Sequence, residues 1–533
     1  MNNIIKQELI TVLKELNLIF DESKIIISQS SKHADFTSNI ALILAAINKL
    51  SPMELAEQIS QKIKTNNNIA KVEVAKPGFI NFFISNQGFV EIIQKIIKED
   101  DRYGSQKQNK KINIEFVSAN PTGFLHLGHL RSAIIGDVLA RVLEFSGNQV
   151  LREYYINDFG VQVDRLTSSL IARYDQIFDK NVVMPQDSYV GEDIVWGANK
   201  IYLEIGDKFQ KDYKNEDKRE FFWNKGLQIY LDEIKKDLTS LDIFFDKYSS
   251  EAELHKNSII KTNIKKLPRT YEQDGALWLK TSQYGDDKDR VLIKQDGKYT
   301  YFGADICYHL EKINSSFQPD LLINIWGADH IGYVDRIKSA LSLVGKQDKL
   351  YILLYQLVKL LKNGQEFKMS KRKGSTFTIK DILKLADKDS IRYFMVERSE
   401  NSIIEFDIEK VNQINEQNPL FIIQYAYARS YQLLEKIQYN FNNISSFNTP
   451  FEIKLINELK EFEVIIAKIS HNYKINLLNK YLLDLANSFN SFYSNVKILD
   501  SPRKDSLMAI VKAVNIVIRN GLKLLGIQGK EKV

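Results

Sequence analysis

Between Lys111 and Val344 the chain alternates two textures, and that alternation restricts its fold more than any other feature. Ile112-Asn113-Ile114-Glu115-Phe116-Val117 reads as a buried strand, and it passes through a turn into a long amphipathic helix from about Gly128 to Phe145. Tyr299 to Phe302 runs into a helical stretch at Ala304 to Lys312, and Leu321 to Trp326 leads to another at Ile331 to Val344. Strands separated by helices pair side by side in parallel, with the crossovers lying on the sheet faces. The expectation is an α/β domain with a doubly wound parallel sheet over residues 107–390. Residues 165–285 interrupt it with charge-rich segments at Lys208 to Glu220 and Gly285 to Arg290, and are read as an insertion outside the sheet.

The flanks differ. At 533 residues the chain has room for three or four domains. Residues 1–106 predict an α+β module: helices over 5–17 and 51–64, then strands from Val72 to Ile84 around the turn Lys76-Pro77-Gly78. Asp100 to Lys110 is a polar connector. After about Ser390 the strand signal stops. Asn418-Pro419 is a helix start with Asn at the cap and Pro in the first turn, and helical periodicity continues over 452–494 and 505–525. Residues 391–533 therefore predict an all-α bundle.

Composition narrows the function classes. Gly and Pro, 24 and 9 residues, are about half as frequent as usual, which excludes collagen-like and largely disordered chains. The lone Cys307 allows no disulfide framework and no cysteine zinc site, and fits a reducing compartment. The N-terminus lacks a signal-peptide pattern, and the longest apolar run, Ile40 to Ile47, is far short of a membrane span, so a cytoplasmic protein is expected. A net charge of +6 is small for this length, so any nucleic-acid contact must come from local basic patches.

Two such places carry chemistry. His126-Leu127-Gly128-His129 sits where a strand hands over to a helix, where free backbone N–H groups and the helix dipole favour an anion. Gly128 lacks a Cβ, so a flat base can lie against the backbone. Phe367-Lys368-Met369-Ser370-Lys371-Arg372-Lys373-Gly374 closes a run that is basic at six positions from Lys359 to Lys373 against one acid, Glu366. Such a loop suits a reaction that builds negative charge on a phosphate and its leaving group, although a solvated charge run has the same composition.

In this order and context the two segments resemble the two signatures of class I aminoacyl-tRNA synthetases, His-Ile-Gly-His and Lys-Met-Ser-Lys-Ser. Leu127 stands for Ile in the first, and Arg372 for the trailing Ser in the second. The wider context resembles the arginyl-tRNA synthetase family: Glu115 to Gly123, Leu130 to Asp137, Tyr155 to Gln162, Trp326 to His330, Gln424 to Arg429 and Val517 to Leu522 all match. In the N-terminal module, Asn39-Ile40-Ala41 and Pro77 to Asn81 match that family's additional tRNA-binding domain. Two departures stand out. Tyr427 replaces a usual His, and the chain ends in Lys-Glu-Lys-Val rather than Met.

The resemblance implies a Rossmann-like catalytic domain, an elbow-binding N-terminal domain and an anticodon-binding C-terminal bundle. It implies ATP-dependent joining of arginine to tRNA(Arg) through an arginyl-adenylate; a monomer is expected, with the oligomeric state left open by the sequence. His126, His129 and Gly128, with Lys368, Met369, Ser370 and Lys371, would hold ATP, the two histidines and two lysines acting in catalysis; Mg²⁺ would bind mainly through ATP oxygens, with no metal ligands in the chain. Glu115, Asn120, Tyr301, Asp305, Asp329 and His330 would bind arginine, with Tyr301 and Asp305 at the guanidinium. A guanidinium is costly to desolvate unless carboxylates pair with it, and Tyr301 and Asp305 are one helical turn apart. Each residue also has an ordinary reading: Glu115 in a strand-end salt bridge, Tyr301 in the core, Asp305 as a first-turn acid, Asp329-His330 as a helix cap. Two rivals remain open at this point, a synthetase for glutamate or glutamine and a tRNA-binding protein without catalysis.

Overall fold

The computed structural model describes residues 2–29, 34–210, 214–367 and 377–532. Its centre is a five-stranded sheet of β1 (Lys111–Glu115), β2 (Gln149–Ile156), β3 (Lys247–Ser250), β4 (Leu321–Gly327) and β5 (Leu350–Tyr355), ordered β5-β4-β1-β2-β3. Every pair is parallel. The winding reverses between β1 and β4, and a cleft at the carboxyl ends of those two strands is where open α/β sheets hold ligands.

One expectation needs correcting. The segment read as an insertion outside the sheet supplies its edge strand, β3, paired with β2 from Glu153↔Lys247 to Ile156↔Ser250. Lys-Tyr-Ser-Ser is four residues long and lacks an apolar alternation, so nothing local marks it as a strand. The first part of the insertion is built as a separate unit, in which helices Val161–Asp175, Glu192–Ile205 and Asn215–Thr239 enclose a core around Leu170, Ile194, Phe222 and Tyr230, whereas Leu254, Ile260, Ile264 and Leu279 after β3 pack with Phe302, Cys307 and Leu322. A second correction concerns the region after Ser390. Ile404–Asp407 is a strand, parallel to Val358–Lys362 in a small sheet that carries the basic loop, so the strands outlast the expected boundary.

Helices cover the sheet: α1 (Leu127–Phe145), α2 (Tyr301–Asn314) and α3 (Ile331–Leu343). Helix α1 is buried from Leu130 to Leu143 but for Arg141, so its polar residues need partners. The Arg131 guanidinium, fully buried, donates to the carbonyls of Gln356, Ser402 and Ser399 at 2.5, 2.8 and 3.0 Å. Asp137 pairs with Arg392, also fully buried, which donates to the carbonyls of Leu525 and Leu241 at 2.7 and 2.8 Å. The first clamp ties α1 to the strand that leads into the basic loop; the second ties it to the turn after helix Asn215–Thr239 and to the end of the C-terminal bundle.

That bundle comprises α4 (Pro419–Lys436), α5 (Pro450–Asn472), α6 (Asn476–Asn495) and α7 (Lys504–Leu524). The stretch expected as one helical run over 452–494 breaks at Tyr473, which adopts φ +62°. The N-terminal module is a four-stranded antiparallel sheet with helices Asn2–Glu15 and Pro52–Lys62, the latter started by a Ser51–Glu54 capping box. It docks on the bundle through Lys95–Glu463 at 2.6 Å and Arg519–Asp100 at 2.7 Å.

Candidate active site

The chain leaves β1 through a strained turn. Val117 and Ser118 hold φ of +65° and +41°, a region that a β-branched residue rarely enters. Three bonds hold them there: Val117 N–H donates to Ser132 Oγ on α1 at 3.1 Å, Tyr155 N–H to Ser118 Oγ at 3.1 Å, and Ser118 Oγ to Glu115 at 3.2 Å. The turn delivers Asn120 to the mouth of the cleft, where its amide donates to Gln162.

His126 is the N-cap of α1, and the two histidines brace each other. Gly128 N–H donates to His126 Nδ1 at 3.2 Å, and His126 N–H donates to His129 Nδ1 at 3.3 Å. The rings stack with centroids 3.8 Å apart. Burial pushes the His126 imidazole below its ordinary pKa; burial and the neighbouring His126 push His129 down to about 3. Both rings are therefore neutral near pH 7. Since each Nδ1 accepts, each Nε2 carries the hydrogen and is the donor on offer. Gly128 answers a close approach: a Cβ there would stand 3.1 Å from His126 Cε1.

Lys368, Met369, Ser370 and Lys371, with Arg372, Lys373 and Gly374, lie outside the described residues. Their flanks are placed. The Phe367 and Phe377 rings meet tilted, with centroids 5.4 Å apart, Leu127 N–H donates to the Phe377 carbonyl at 3.1 Å, and Ile379 N–H to that of Leu125 at 3.0 Å. The loop is thus based directly beside the histidine turn.

Across the switch point the chemistry changes sign. Glu115, buried at the end of β1, accepts from Lys312 Nζ at 2.7 Å. Asp305, one turn into α2, receives the Tyr333 hydroxyl and stands 3.2 Å from His309 Nδ1. Asp158 accepts from Ser250 Oγ at 2.6 Å and from Ala252 N–H at 2.8 Å, which seats Glu251 next to it. Burial and the nearby carboxylates of Glu251, Asp305, Glu115 and Asp158 push the Tyr155 phenol far up. Burial, Asp158 and Asp305 also push the Glu251 carboxyl up to about 7, against a hydrogen bond from Tyr155. Four carboxylates thus face one phenol. That is a receptacle for a broad cation, and among the described residues no three His, Cys, Asp or Glu side chains are grouped to hold a metal ion.

Of the residues singled out from sequence, Glu115 and Asp305 come together on this acidic wall, and His126, Gly128 and His129 on the opposite one. Asn120 is placed against Gln162. Tyr301 shares a turn of α2 with Asp305, but its ring is 67 % exposed, and Tyr333 of α3 is what meets the Asp305 carboxylate. Asp329 and His330 sit on the rim after β4, their side chains exposed and 3.7 Å apart. Glu251, Asp158, Tyr155, Tyr333 and Lys312 were not singled out. Tyr155 and Asp158 stand in the family-like segment Tyr155 to Gln162, and Lys312 lies seven residues after Asp305, on the same face of a helix; Glu251 and Tyr333 had no such sign.

Known proteins bear on this geometry. The family model described as the catalytic domain of class I (R) tRNA synthetases matches residues 92–441, the DALR anticodon binding domain matches 423–533, and the arginyl tRNA synthetase N-terminal domain matches 1–84. The arginine--tRNA ligase of Mesomycoplasma hyopneumoniae (strain 7448) is 55% identical over 535 residues, 100% of both chains. That of Staphylococcus epidermidis (strain ATCC 12228) is 39% identical, again over the full length of each. Among solved structures, a putative arginyl-tRNA synthetase from Campylobacter jejuni superposes with TM-score 0.77 at 32% identity, over 84% of this chain and 100% of that one. The Thermus thermophilus arginyl-tRNA synthetase shares the fold over both full chains, with TM-score 0.78 at 19% identity.

Proposed function

The chain belongs to the class I arginyl-tRNA synthetase family, whose reaction charges tRNA(Arg) with arginine, and from that premise we propose how this cleft divides the work. ATP binds over the start of α1. The neutral imidazoles of His126 and His129 donate through Nε2 to phosphate oxygens, and the adenine lies against Gly128. Lys368 and Lys371, with Met369 and Ser370 in the same loop, close on the phosphates and meet the charge that grows on the departing pyrophosphate. Mg²⁺ would be carried by the ATP and would offset phosphate charge, and no residue of the chain is assigned to it.

Arginine lies across the switch point. Its guanidinium pairs with Asp305 and Glu251, and its α-ammonium with Glu115, while Asn120 steadies the carboxylate end. Tyr301, Asp329 and His330 are assigned to the rim, where a side chain can cover the bound amino acid. An arginine carboxylate oxygen attacks the α-phosphorus, the bond to pyrophosphate breaks, and arginyl-adenylate forms. A ribose hydroxyl of the tRNA 3′ end then attacks the arginyl carbonyl and AMP leaves. Little covalent chemistry falls to the protein, so catalysis is positioning and charge stabilisation.

The observation that carries this reading is the change of sign across one cleft: neutral donors on α1, four carboxylates opposite. A site for glutamate or glutamine would need the reverse on the acidic side. The N-terminal module is assigned to the tRNA elbow and the helical bundle to the anticodon. The state inferred is a cytoplasmic monomer; among the described residues no helix is long and apolar enough to cross a membrane. The test is ATP–pyrophosphate exchange with arginine, with and without total tRNA, followed by charging. Exchange with glutamate or glutamine instead of arginine would reject the assignment.

A further inference from the structure

Beneath the acidic wall runs a buried polar chain that starts from one lysine. Lys312, 2 % exposed, donates to Glu115 Oε2 at 2.7 Å and to Asn324 Oδ1 of β4 at 3.2 Å. It also lies 4.9 Å from the centre of the Tyr308 ring. An ammonium group only donates, so the carbonyl side of the Asn324 amide must face it. The amide nitrogen then points the other way, 2.9 Å from His309 Nε2. Nε2 must accept, which puts the imidazole hydrogen on Nδ1. That nitrogen stands 2.8 Å from the Asp305 backbone carbonyl and 3.2 Å from its carboxylate.

We propose that Lys312 is a positioning residue serving both ends of the arginine site at once, holding Glu115 directly and orienting Asp305 through Asn324 and His309. The proposal rests on the reading that Glu115 and Asp305 take the α-ammonium and the guanidinium of arginine. The charges favour it. Lys312 lies between two buried carboxylates, Glu115 and Glu153. Glu153 takes none of the substrate; Asn113 at 2.5 Å, Ser249 and Lys247 at 3.1 Å hold it. Burial works to raise the Glu153 carboxyl, yet Lys312, Lys247 and the hydrogen bonds bring it down to about 2. Without Lys312 two buried anions would share a site with one less cation, and a buried anion left uncompensated takes a proton or moves toward water. Either response degrades Glu115 as a partner for an ammonium. The arrangement also fixes the distance between the two substrate carboxylates, because Lys312 and Asp305 ride on one rigid helix.

The experiment measures KM for arginine and for ATP, and kcat, in tRNA charging by the full chain, with thermal unfolding as a check on folding. Lys312→Met is expected to raise KM for arginine about tenfold or more while KM for ATP stays within about twofold. Asn324→Leu, which keeps the Lys312–Glu115 pair and cuts the arm to Asp305, is expected to give a smaller rise, about threefold, again confined to arginine. In an Asp305→Asn background Asn324→Leu should add nothing further to KM for arginine. Equal rises in both KM values, or a fall in kcat alone, would make Lys312 a scaffold residue and overturn the proposal. Should Lys312→Met not fold, Asn324→Leu decides alone, and an unchanged KM for arginine rejects the relay. Failure of the underlying reading looks different: Glu115→Gln and Asp305→Asn would then leave KM for arginine unaltered.

Discussion

At the end of the cleft assigned to ATP, the donors described at the start of α1 are two neutral imidazoles, with the flanks of the basic loop placed beside them. At the end assigned to arginine the groups are carboxylates set on a buried lysine. The two ends receive charges of opposite sign and are built differently. In the proposed arrangement a phosphate chain stays partly in water and is met by the lysines of the basic loop, so neutral donors suffice at the helix start. A guanidinium and an α-ammonium come without counterions, so the protein must keep anions ready, and ready anions in a buried place need a cation behind them. Among the described residues His126 and His129 are accordingly braced by each other and by backbone, whereas Glu115 is held by Lys312, from which Asn324 and His309 lead on to Asp305.

The comparison predicts where truncation should hurt most. Asp305→Asn removes a charge from the guanidinium while keeping the shape, and should lower kcat/KM for arginine on the order of a thousandfold, with KM for ATP little changed. Steady-state charging at varied arginine and varied ATP checks it; a loss shared equally by both substrates would merge the two ends into one. Lys371→Ala tests the other end. It should slow adenylation about a hundredfold and leave arginine affinity near its original value. Unchanged ATP–pyrophosphate exchange in that variant would remove the loop from the chemistry.

The two ends also differ in how much of them can be read from sequence. The histidine turn is contiguous: strand, turn, His126, Gly128 and His129 occupy neighbouring positions, and the local geometry follows from them. The acidic wall is assembled from four elements. Lys312 reaches Glu115 across 197 positions, and Glu251 enters from the short edge strand β3, whose Lys-Tyr-Ser-Ser has no pattern to betray it. Tyr301 stood out by its spacing from Asp305, yet Tyr333, on the following helix, makes the contact. The alternation of strands and helices was legible because each crossover buries a long apolar face. Ile404–Asp407 was not, since a four-residue strand after helical sequence offers no period of its own.

A third prediction uses the suppressed basicity of the histidines. With its folded pKa near 3 against an ordinary 6.5, His129 binds a proton in the unfolded chain before it does in the folded one. Between those values the unfolded state carries more protons, so stability is lost as pH falls, by up to about 1.4 kcal/mol per pH unit. His129→Gln should flatten the acid side of a plot of urea-unfolding stability between pH 6.5 and 4. A slope unchanged from the unsubstituted protein would show that the ring charges in place.

The smallest effect belongs to Glu251, a carboxyl of the acidic wall that titrates near neutrality. Burial and the Asp158 and Asp305 charges hold it at about 7, so at pH 6 the free enzyme carries it mostly protonated and at pH 8.5 mostly ionised. Glu251→Gln resembles the protonated form. The variant should therefore lose little in kcat/KM for arginine at pH 6 and about three- to tenfold more at pH 8.5, since kcat/KM follows ionisation in the free enzyme. The sign separates the readings. A carboxylate that serves the guanidinium makes the penalty grow with pH; one that merely packs against Tyr155 makes it flat. A flat ratio would leave Asp305 as the sole anion at the guanidinium, and Lys312, which orients Asp305 through His309, would then carry more of the difference between the two ends.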